Sequence, residues 1–395
     1  MKSEWRTVAL GSVADLTVGF VGTMASNYTE TGIPFLRSTN IEPFDIKLDD
    51  IKYISSNFNE SLRKSELHPN DVVIVRTGTP GACAVIPAGV KAWNCSDLVI
   101  VRPHRNKLNP LFLASYVNLA SGVINTQLVG AVQQHYNVGA AKKMQIPLPP
   151  IGEQDKIASI IGMLNKKITI NSKINDNLEQ QAQSYFQELF VDNADPEWTT
   201  GTISDLGTVV GGSTPSKAKP EYYTESGIAW ITPKDLSNNK SKFVSHGEND
   251  ITELGLRNSS ASIMPEGTVL FSSRAPIGYI AIAAGEVTTN QGFKSVVPKP
   301  EIGTPFVYFF LKNTLPVIEG MASGSTFKEV SGSTMKNVPA VIPDAETLAK
   351  FSDFCAPIFA QQRILEEQNQ SLATLRDNLL PKLMSGEIDV SAVQL

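Results

Sequence analysis

Cysteine is scarce in this chain: Cys83, Cys95 and Cys355 are the only three in 395 residues. They stand too far apart for a disulfide framework or for a zinc site built from cysteine pairs, so three reduced, mostly buried thiols are expected. Histidine is equally thin, and His68, His104, His135 and His246 show no H-x-x-x-H spacing, which argues against a metal centre. No apolar run approaches the ~18 residues of a membrane span, and Met1-Lys2-Ser3-Glu4-Trp5 lacks the apolar stretch of a signal peptide. A cytoplasmic protein with no membrane partner is expected. Nucleotide-binding and nucleophile chemistry find little support either. Gly211-Gly212-Ser213-Thr214-Pro215-Ser216-Lys217 falls short of G-x-x-x-x-G-K-(S/T), and no nucleophile-base arrangement stands out.

Charge is also sparse, 18% against 42% hydrophobic residues, so the chain should fold around a substantial core. Its length is too great for one ordinary core and suits two or three domains. The net charge of −5 is unevenly spread. Residues 1–150 hold 14 Lys and Arg against 11 Asp and Glu, 151–195 hold 4 against 7, 196–343 hold 12 against 13, and 344–395 hold 4 against 8. Acidity therefore concentrates in the second and fourth segments. The other two are near neutral, and any attraction to phosphate there must come from local clusters.

What is present is a sequence written twice. Trp5, Leu10, Val13 and Gly19 recur as Trp198, Ile203, Leu206 and Gly212, a shift of 193. Gly32-Ile33-Pro34-Phe35-Leu36 answers to Gly227-Ile228-Ala229-Trp230-Ile231, and Val72-Val73-Ile74-Val75 to Val269-Leu270-Phe271, each an apolar strand after a turn. A polar loop with proline and glycine follows in each copy, Arg76-Thr77-Gly78-Thr79-Pro80-Gly81 against Ser273-Arg274-Ala275-Pro276-Ile277-Gly278. Asn94 and Asn290 precede matching strands, and Pro110 and Pro305 open matching helices. Both copies close on a methionine shortly before (Ile/Val)-Pro, at Met144 to Pro147 and Met335 to Pro339. Trp5, Trp198 and Trp230 are expected in the core.

Each copy then changes character. Residues 153–190 contain no proline and only Gly162, and their apolar residues follow a heptad: Ile157, Leu164, Leu178 and Tyr185, with Asn171 completing the series. Ile161, Ile168, Asn175, Ala182 and Leu189 form the companion row. A shift of 194 lands on Phe351, Ile358, Leu365, Leu372 and Leu379. Two helices of ~35 residues, each ~50 Å long, are predicted. The ordinary alternative is an amphipathic helix packed on its own domain. Recurrence of the seam in both copies, and asparagines inside it that can specify register, favour helix-on-helix pairing. The expected class is α+β: two similar globular α/β domains, 1–150 and 194–343, separated by two long helices, 151–193 and 344–395, forming an antiparallel coiled coil with a pseudo-two-fold internal repeat.

Two similar modules on a fixed spacer match two half-sites on duplex DNA, with the spacer setting their separation. Because the loops differ between copies, the half-sites should differ, giving an interrupted, asymmetric target. A rival is a scaffold that does not bind DNA, presenting two modules on a coiled coil to protein partners.

Three stretches carry a family resemblance. Pro147-Leu148-Pro149-Pro150-Ile151-Gly152-Glu153-Gln154 resembles the P-L-P-P-x-x-E-Q junction of type I restriction-modification specificity (S) subunits. Leu379-Leu380-Pro381-Lys382-Leu383-Met384-Ser385-Gly386-Glu387-Ile388 is similar to the L-L-P-K-L-x-S-G-E-I ending of their second conserved helix, and residues 227–236 resemble their G-I-x-W-I-x-x-x-D-L motif. The second junction, Ile342-Pro343-Asp344-Ala345-Glu346-Thr347, departs from the pattern and blurs the start of the second helix. The resemblance implies a non-catalytic DNA-recognition subunit that docks two methyltransferase (M) subunits and two restriction/translocase (R) subunits on double-stranded DNA. S-adenosylmethionine and ATP with Mg would then belong to those partners, with no cofactor on this chain. Leu148-Pro149-Pro150-Ile151 fits this, since it has the prolines but not the polar residue of an adenine methyltransferase N-P-P-(Y/F) motif.

Base reading favours Arg, Lys, Asn and Gln, while Ser, Thr and Tyr more often hold phosphates. Such residues on inter-strand loops are the candidate DNA contacts. In the first domain these are Arg37, Asn40, Arg76, Thr77, Thr79, Gln133, Gln134, His135 and Tyr136. In the second they are Ser213, Thr214, Lys217, Thr232, Lys234, Ser273, Arg274, Ser325, Thr326 and Lys328. Arg37 and Arg76 could instead be structural partners of Asp71 and Asp97.

Overall fold

The computed structural model describes residues 5–127, 137–324 and 328–393. By its contacts the chain divides into two compact units, residues 1–169 with 370–395, and residues 170–369. The division cuts both long helices, so part of each belongs to each unit.

In the first unit, valine-rich Val72–Val75, buried throughout, lies between Cys83–Val85 and Leu98–Pro103, and Ala14–Val18 completes a four-stranded antiparallel sheet. A β-branched run with every residue buried is what a central strand demands. Pro110–Gln127, opened by proline, packs on this sheet through Phe112, Leu113 and Val117. A second, five-stranded sheet contains Ile33–Leu36 paired in parallel with Trp93–Cys95. Arg6–Ala9 and Gln145–Leu148 form a short ladder that brings the start of the unit to its end.

The second unit repeats the plan. Val269–Ser273 sits between Lys294–Pro298 and Ile277–Ala283, with Gly207–Gly211 beyond and Phe243–Val244 added in parallel at the far edge. Ile228–Ile231 pairs in parallel with Thr288–Thr289, and Thr199–Thr202 antiparallel with Pro339–Ile342. The helix Thr304–Met321 carries Pro305 in its first turn. Gly81 and Gly278 occupy equivalent positions with φ of 91° and 94°. A Cβ on either would press on the adjoining helix, 2.5 Å from Ser121 Cβ or 2.7 Å from Leu315 Cδ1. Positive φ and close approach together call for glycine there. One detail of the repeat shifts. Ser96 N donates to Leu36 O at 2.9 Å and Asn290 N to Ile231 O at 3.0 Å, so the counterpart of Asn290 is Ser96 rather than Asn94, which is buried inside a strand.

The long helices are Ile151–Gln187, continued by a π-turn Glu188–Asp192, and Ala345–Met384. They meet antiparallel within each unit. In the first, Ile157 and Ile161 share a core with Leu380, Leu383 and Met384, and Arg376 Nη1 donates to Asn165 Oδ1 at 3.0 Å. In the second, Asn171 Nδ2 donates to Asn369 Oδ1 at 2.9 Å, Gln362 Nε2 to Asn175 O at 3.2 Å, and Tyr185 lies 6.0 Å from Phe351 between ring centroids. Ile358 and Leu365 are buried, while Leu164, Ile168, Leu178, Leu372 and Leu379 are half-buried. Phe186, Leu380, Leu383 and Met384 take over near the ends. A helix of 3.6 residues per turn drifts away from a 3.5-residue seam, which moves the contact row in this way.

The two junctions solve one problem differently. At the first, buried Gln154 donates to Lys107 O and Pro149 O and accepts from Asn109 N. At the second, Asp344 accepts from Thr347 N at 2.9 Å and caps the helix. Trp5 and Trp198, expected in the core, are half-buried. Their indole N–H groups donate to Glu153 Oε2 at 3.1 Å and Asp344 Oδ2 at 3.0 Å, so their polar edges tie each ladder to a helix start. Trp230 is buried as expected. Among the described residues, no helix is long and apolar enough to cross a membrane.

Candidate nucleic-acid interface

In each unit a cleft opens between the loop after the parallel-paired strand and the loop after the central strand. The first, about 520 Å³, is lined by Ser38, Thr39, Thr77, Gly78, Thr79, Pro80 and Ser121. Ser38 and Thr39 follow Ile33–Leu36, and Thr77 to Pro80 follow Val72–Val75. The second, about 470 Å³, is lined from the matching loops by Thr232, Pro233, Lys234, Arg274 and Ala275, joined by Thr214, Lys217 and Gln291. A neighbouring hollow of about 720 Å³ adds Lys328 and Glu329 beside Arg274. Both clefts are therefore products of the same two strand-to-loop exits, where a rigid sheet presents polar side chains.

In the first unit several candidates belong to the scaffold. Asn40 is buried; its Oδ1 accepts from Arg37 N at 3.0 Å and its Nδ2 donates to Lys47 O at 3.0 Å, which leaves it no face toward a base. Arg37 donates to Asp50 Oδ2 at 2.8 Å. Arg76, 18% exposed, donates to Asp97 Oδ1 at 2.6 Å, and Thr77 donates to Asp97 Oδ2 at 3.3 Å. The Asp97 pairing foreseen for Arg76 is realised; Asp71 pairs instead with Arg102 at 3.3 Å. Thr79 is exposed at the cleft rim. Gln133, Gln134, His135 and Tyr136 lie outside the described residues.

The second unit presents more. Lys217 is exposed. Lys234 pairs with Glu248 at 2.6 Å with both side chains largely in solvent, a bond worth little and readily exchanged for a phosphate. Arg274 Nη1 lies 3.4 Å from Glu329, which Lys294 also approaches at 3.8 Å. Burial pulls the Lys294 ammonium below its ordinary pKa, against the pull of Glu329. Thr232 spends its hydroxyl on Asp235 at 2.6 Å, capping the helix Pro233–Asn238. Ser273 is wholly buried, donating to Gly292 O at 3.1 Å, and so belongs to the scaffold. Ser213 is half-buried, its carbonyl accepting from the Trp230 indole at 3.0 Å. Thr214 Oγ1 donates to Gln291 Oε1. Lys328 is exposed, while Ser325 and Thr326 lie outside the described residues.

Sequence reasoning missed Gln291, which sits in the turn after Thr288–Thr289, where no periodic signal marks it. It also missed a buried charge cluster that holds the second unit's sheet on its helices. Glu179 pairs with Lys242 and, at 2.6 Å, with Lys312, while Glu366 accepts from Lys242 N at 2.8 Å and Phe243 N at 3.0 Å. The Lys242 ammonium also stands over the rings of Phe359 and Tyr308, 3.9 and 4.7 Å from their centroids. Burial pushes the Glu179 carboxyl up, but the two lysines outweigh it and hold its pKa below the usual value. Burial raises Glu366 and lowers Lys242. In the first unit the corresponding junction is an Arg376 guanidinium 5.2 Å from the Phe44 ring centroid.

Comparison with known proteins matches this duplication. Residues 2–180 and 196–375 each fit the model of the type I restriction modification DNA specificity domain. The type I restriction enzyme MjaIX specificity subunit of Methanocaldococcus jannaschii is 39% identical over 194 residues, 47% of this chain and 45% of that protein, so the alignment spans under half of the relative. The putative type I restriction enzyme MjaX specificity subunit of the same organism is 20% identical over 401 residues, covering 93% of this chain and 90% of the relative. The crystal structure of the type I restriction-modification S subunit from M. genitalium covers 96% of both chains at a TM-score of 0.58 and 16% identity, a likeness of fold.

Proposed function

Because the chain belongs to the type I restriction modification DNA specificity family and carries that domain twice, we propose that it reads an interrupted, asymmetric duplex target, one half-site per repeat, for a complex in which other subunits do the chemistry. The observation that carries this reading is the pair of clefts: equivalent loops on equivalent strands, lined by different side chains. Equal architecture supplies the same way of approaching a groove. Unequal lining supplies different hydrogen-bond patterns, and hence different bases. Thr39, Thr77 and Thr79 give the first cleft hydroxyl contacts, whereas Lys217, Lys234, Arg274 and Gln291 give the second cations and an amide.

The near-neutral charge of each repeat fits specific reading better than indiscriminate attraction. Non-specific affinity comes chiefly from phosphate neutralisation, and the cations of the second cleft are mostly shared with carboxylates. Occupied pairs such as Lys234 with Glu248 and Arg274 with Glu329 must open to take a phosphate, which raises the share of binding that base contacts supply.

The antiparallel helices join the repeats and are the surface on which M and R subunits would dock. The M subunits would bring S-adenosylmethionine and the R subunits ATP with Mg. Mapping methylated adenines in cells that carry this chain with its methyltransferase partner tests the proposal. A two-part motif with a gap of fixed length is expected. Methylation lacking a bipartite motif, or site-independent binding by the purified complex, refutes it.

A further inference from the structure

We infer that Gln291 is a base-reading residue of the second repeat and that the base it reads is an adenine; this rests on the DNA-reading function proposed above. The loop that carries it is pinned on every side. Asn290 N donates to Ile231 O at 3.0 Å, Gly292 N to Asn290 Oδ1 at 2.8 Å, Phe293 N to Asn290 O at 3.2 Å, and Ser273 N to Gly292 O at 2.7 Å. Lys294 Nζ donates to the carbonyl of Gln291 itself at 3.3 Å. Its side chain is nonetheless exposed and lines the cleft. An exposed side chain on an immobilised backbone loses little freedom on binding, which is the condition for a discriminating contact.

The amide is also oriented. Thr214 Oγ1 donates to Gln291 Oε1. A carboxamide oxygen has two lone pairs and its nitrogen two hydrogens, so this bond leaves one acceptor position and both donors. That remainder complements the major-groove edge of adenine, whose N6 amino group donates and whose N7 accepts. Guanine offers two acceptors on the same edge and would leave the amide oxygen unmatched. Around it, Lys217 is placed to take a phosphate, and Lys234 and Arg274 to do so once their pairs with Glu248 and Glu329 open, while Asp235 is committed to Thr232.

The first repeat shows what the same position becomes under a different specification. Ser96 corresponds to Asn290 and Leu98 to Phe293, so the first repeat has Asp97 alone where the second has Gln291 and Gly292, and Asp97 is held by Arg76 and Thr77. A carboxylate there accepts only. The tip of the loop is rewritten between repeats, in length and in chemistry, while the strands that hold it are kept.

The experiment uses the complex of this chain with its methyltransferase partner, as wild type, Gln291→Ala and Gln291→Glu. Binding is measured on duplexes in which each base pair of both half-sites is varied, alongside the methylated motif in cells. With Gln291→Ala, affinity for the cognate duplex should fall about 10- to 100-fold, one A·T position of one half-site should become degenerate, and the other half-site should stay unchanged. With Gln291→Glu, preference at that same position should move toward cytosine, whose N4 amino group a carboxylate accepts. Thermal unfolding that matches wild type shows that the fold is intact. An unchanged motif in both variants, or equal weakening on every sequence, overturns the inference. Absence of any two-part motif for the wild type overturns the DNA-reading function instead, so the two failures are distinguishable.

Discussion

Replacing Glu179 by glutamine leaves a buried ammonium without its main counter-charge. Lys242 has a side chain only 6% exposed, and once the carboxylate is gone it keeps Gln362 Oε1 at 2.7 Å and the faces of three aromatic rings. At an effective dielectric of ~20, a pair of unit charges 4 Å apart is worth about 4 kcal/mol, and breaking a buried pair by removing one partner typically costs about 3–5 kcal/mol. At roughly 2–4 °C per kcal/mol for a unit of this size, the melting transition of residues 170–369 should drop by about 6–20 °C. Lys242→Met combined with Glu179→Leu removes both charges and fills their space, and should recover most of the loss. Calorimetry together with hydrogen exchange over Thr304–Met321 is the assay, since Lys312 ties that helix to Glu179. A loss under about 1 kcal/mol for Glu179→Gln, or a double variant no better than the single, would refute the claim that this cluster is buried and coupled.

Acid titration of the same unit has a defined sign. The Glu179 carboxyl is held below its ordinary pKa, so its stabilisation is complete above about pH 4.5 and is lost as pH falls through the depressed value. Glu366, raised by burial, works oppositely, adding stability as pH falls through its raised pKa toward 4.5. Stability against pH should therefore peak on the mildly acidic side, and Glu366→Gln should remove the rise but not the fall. Gly212→Ala places a Cβ against the carbonyls of Asn290 and Thr289, which should displace the Gln291 loop and abolish recognition of one half-site, as read by duplex binding. Asn171→Leu with Asn369→Leu replaces both partners of their hydrogen bond together with a fully buried Oδ1 that lacks a partner, and should leave stability unchanged or raise it by about 1 kcal/mol in urea unfolding. Cys355, pushed up to about 12 by burial, and the still more shielded Cys83 and Cys95 should resist alkylation until the chain unfolds.

The duplication, the long helices and the succession of the main strands along each repeat were legible in the chain because they are carried by local patterns. A period of two or of three and a half, a proline at a first turn and a glycine after a strand each act within a few residues, and a second copy of the same pattern is a check on the first. The heptad row even located Asn171, which meets Gln368 and Asn369 across the helices, and Asn175, which meets Gln362. What the patterns could not show was which polar side chains remain available. Asn40 looks like a reader in the sequence, and Arg76 reads there as either a reader or a partner of an aspartate; that Arg76 is spent on Asp97 and Asn40 on Lys47 is settled only when separate strands and loops close on one another.

The tertiary structure also decided where each module grips its helices. Glu179, Lys242, Lys312 and Glu366 come from four distant parts of the chain and have no common period. Gln291 reads as one more loop residue until Thr214 orients its amide and the sheet immobilises its backbone. Apolar periodicity determines which elements form, because burial of a face is a property of a single segment. Polar function is settled by pairing across segments, because a charge or an amide is free for a ligand only when the fold has not already satisfied it.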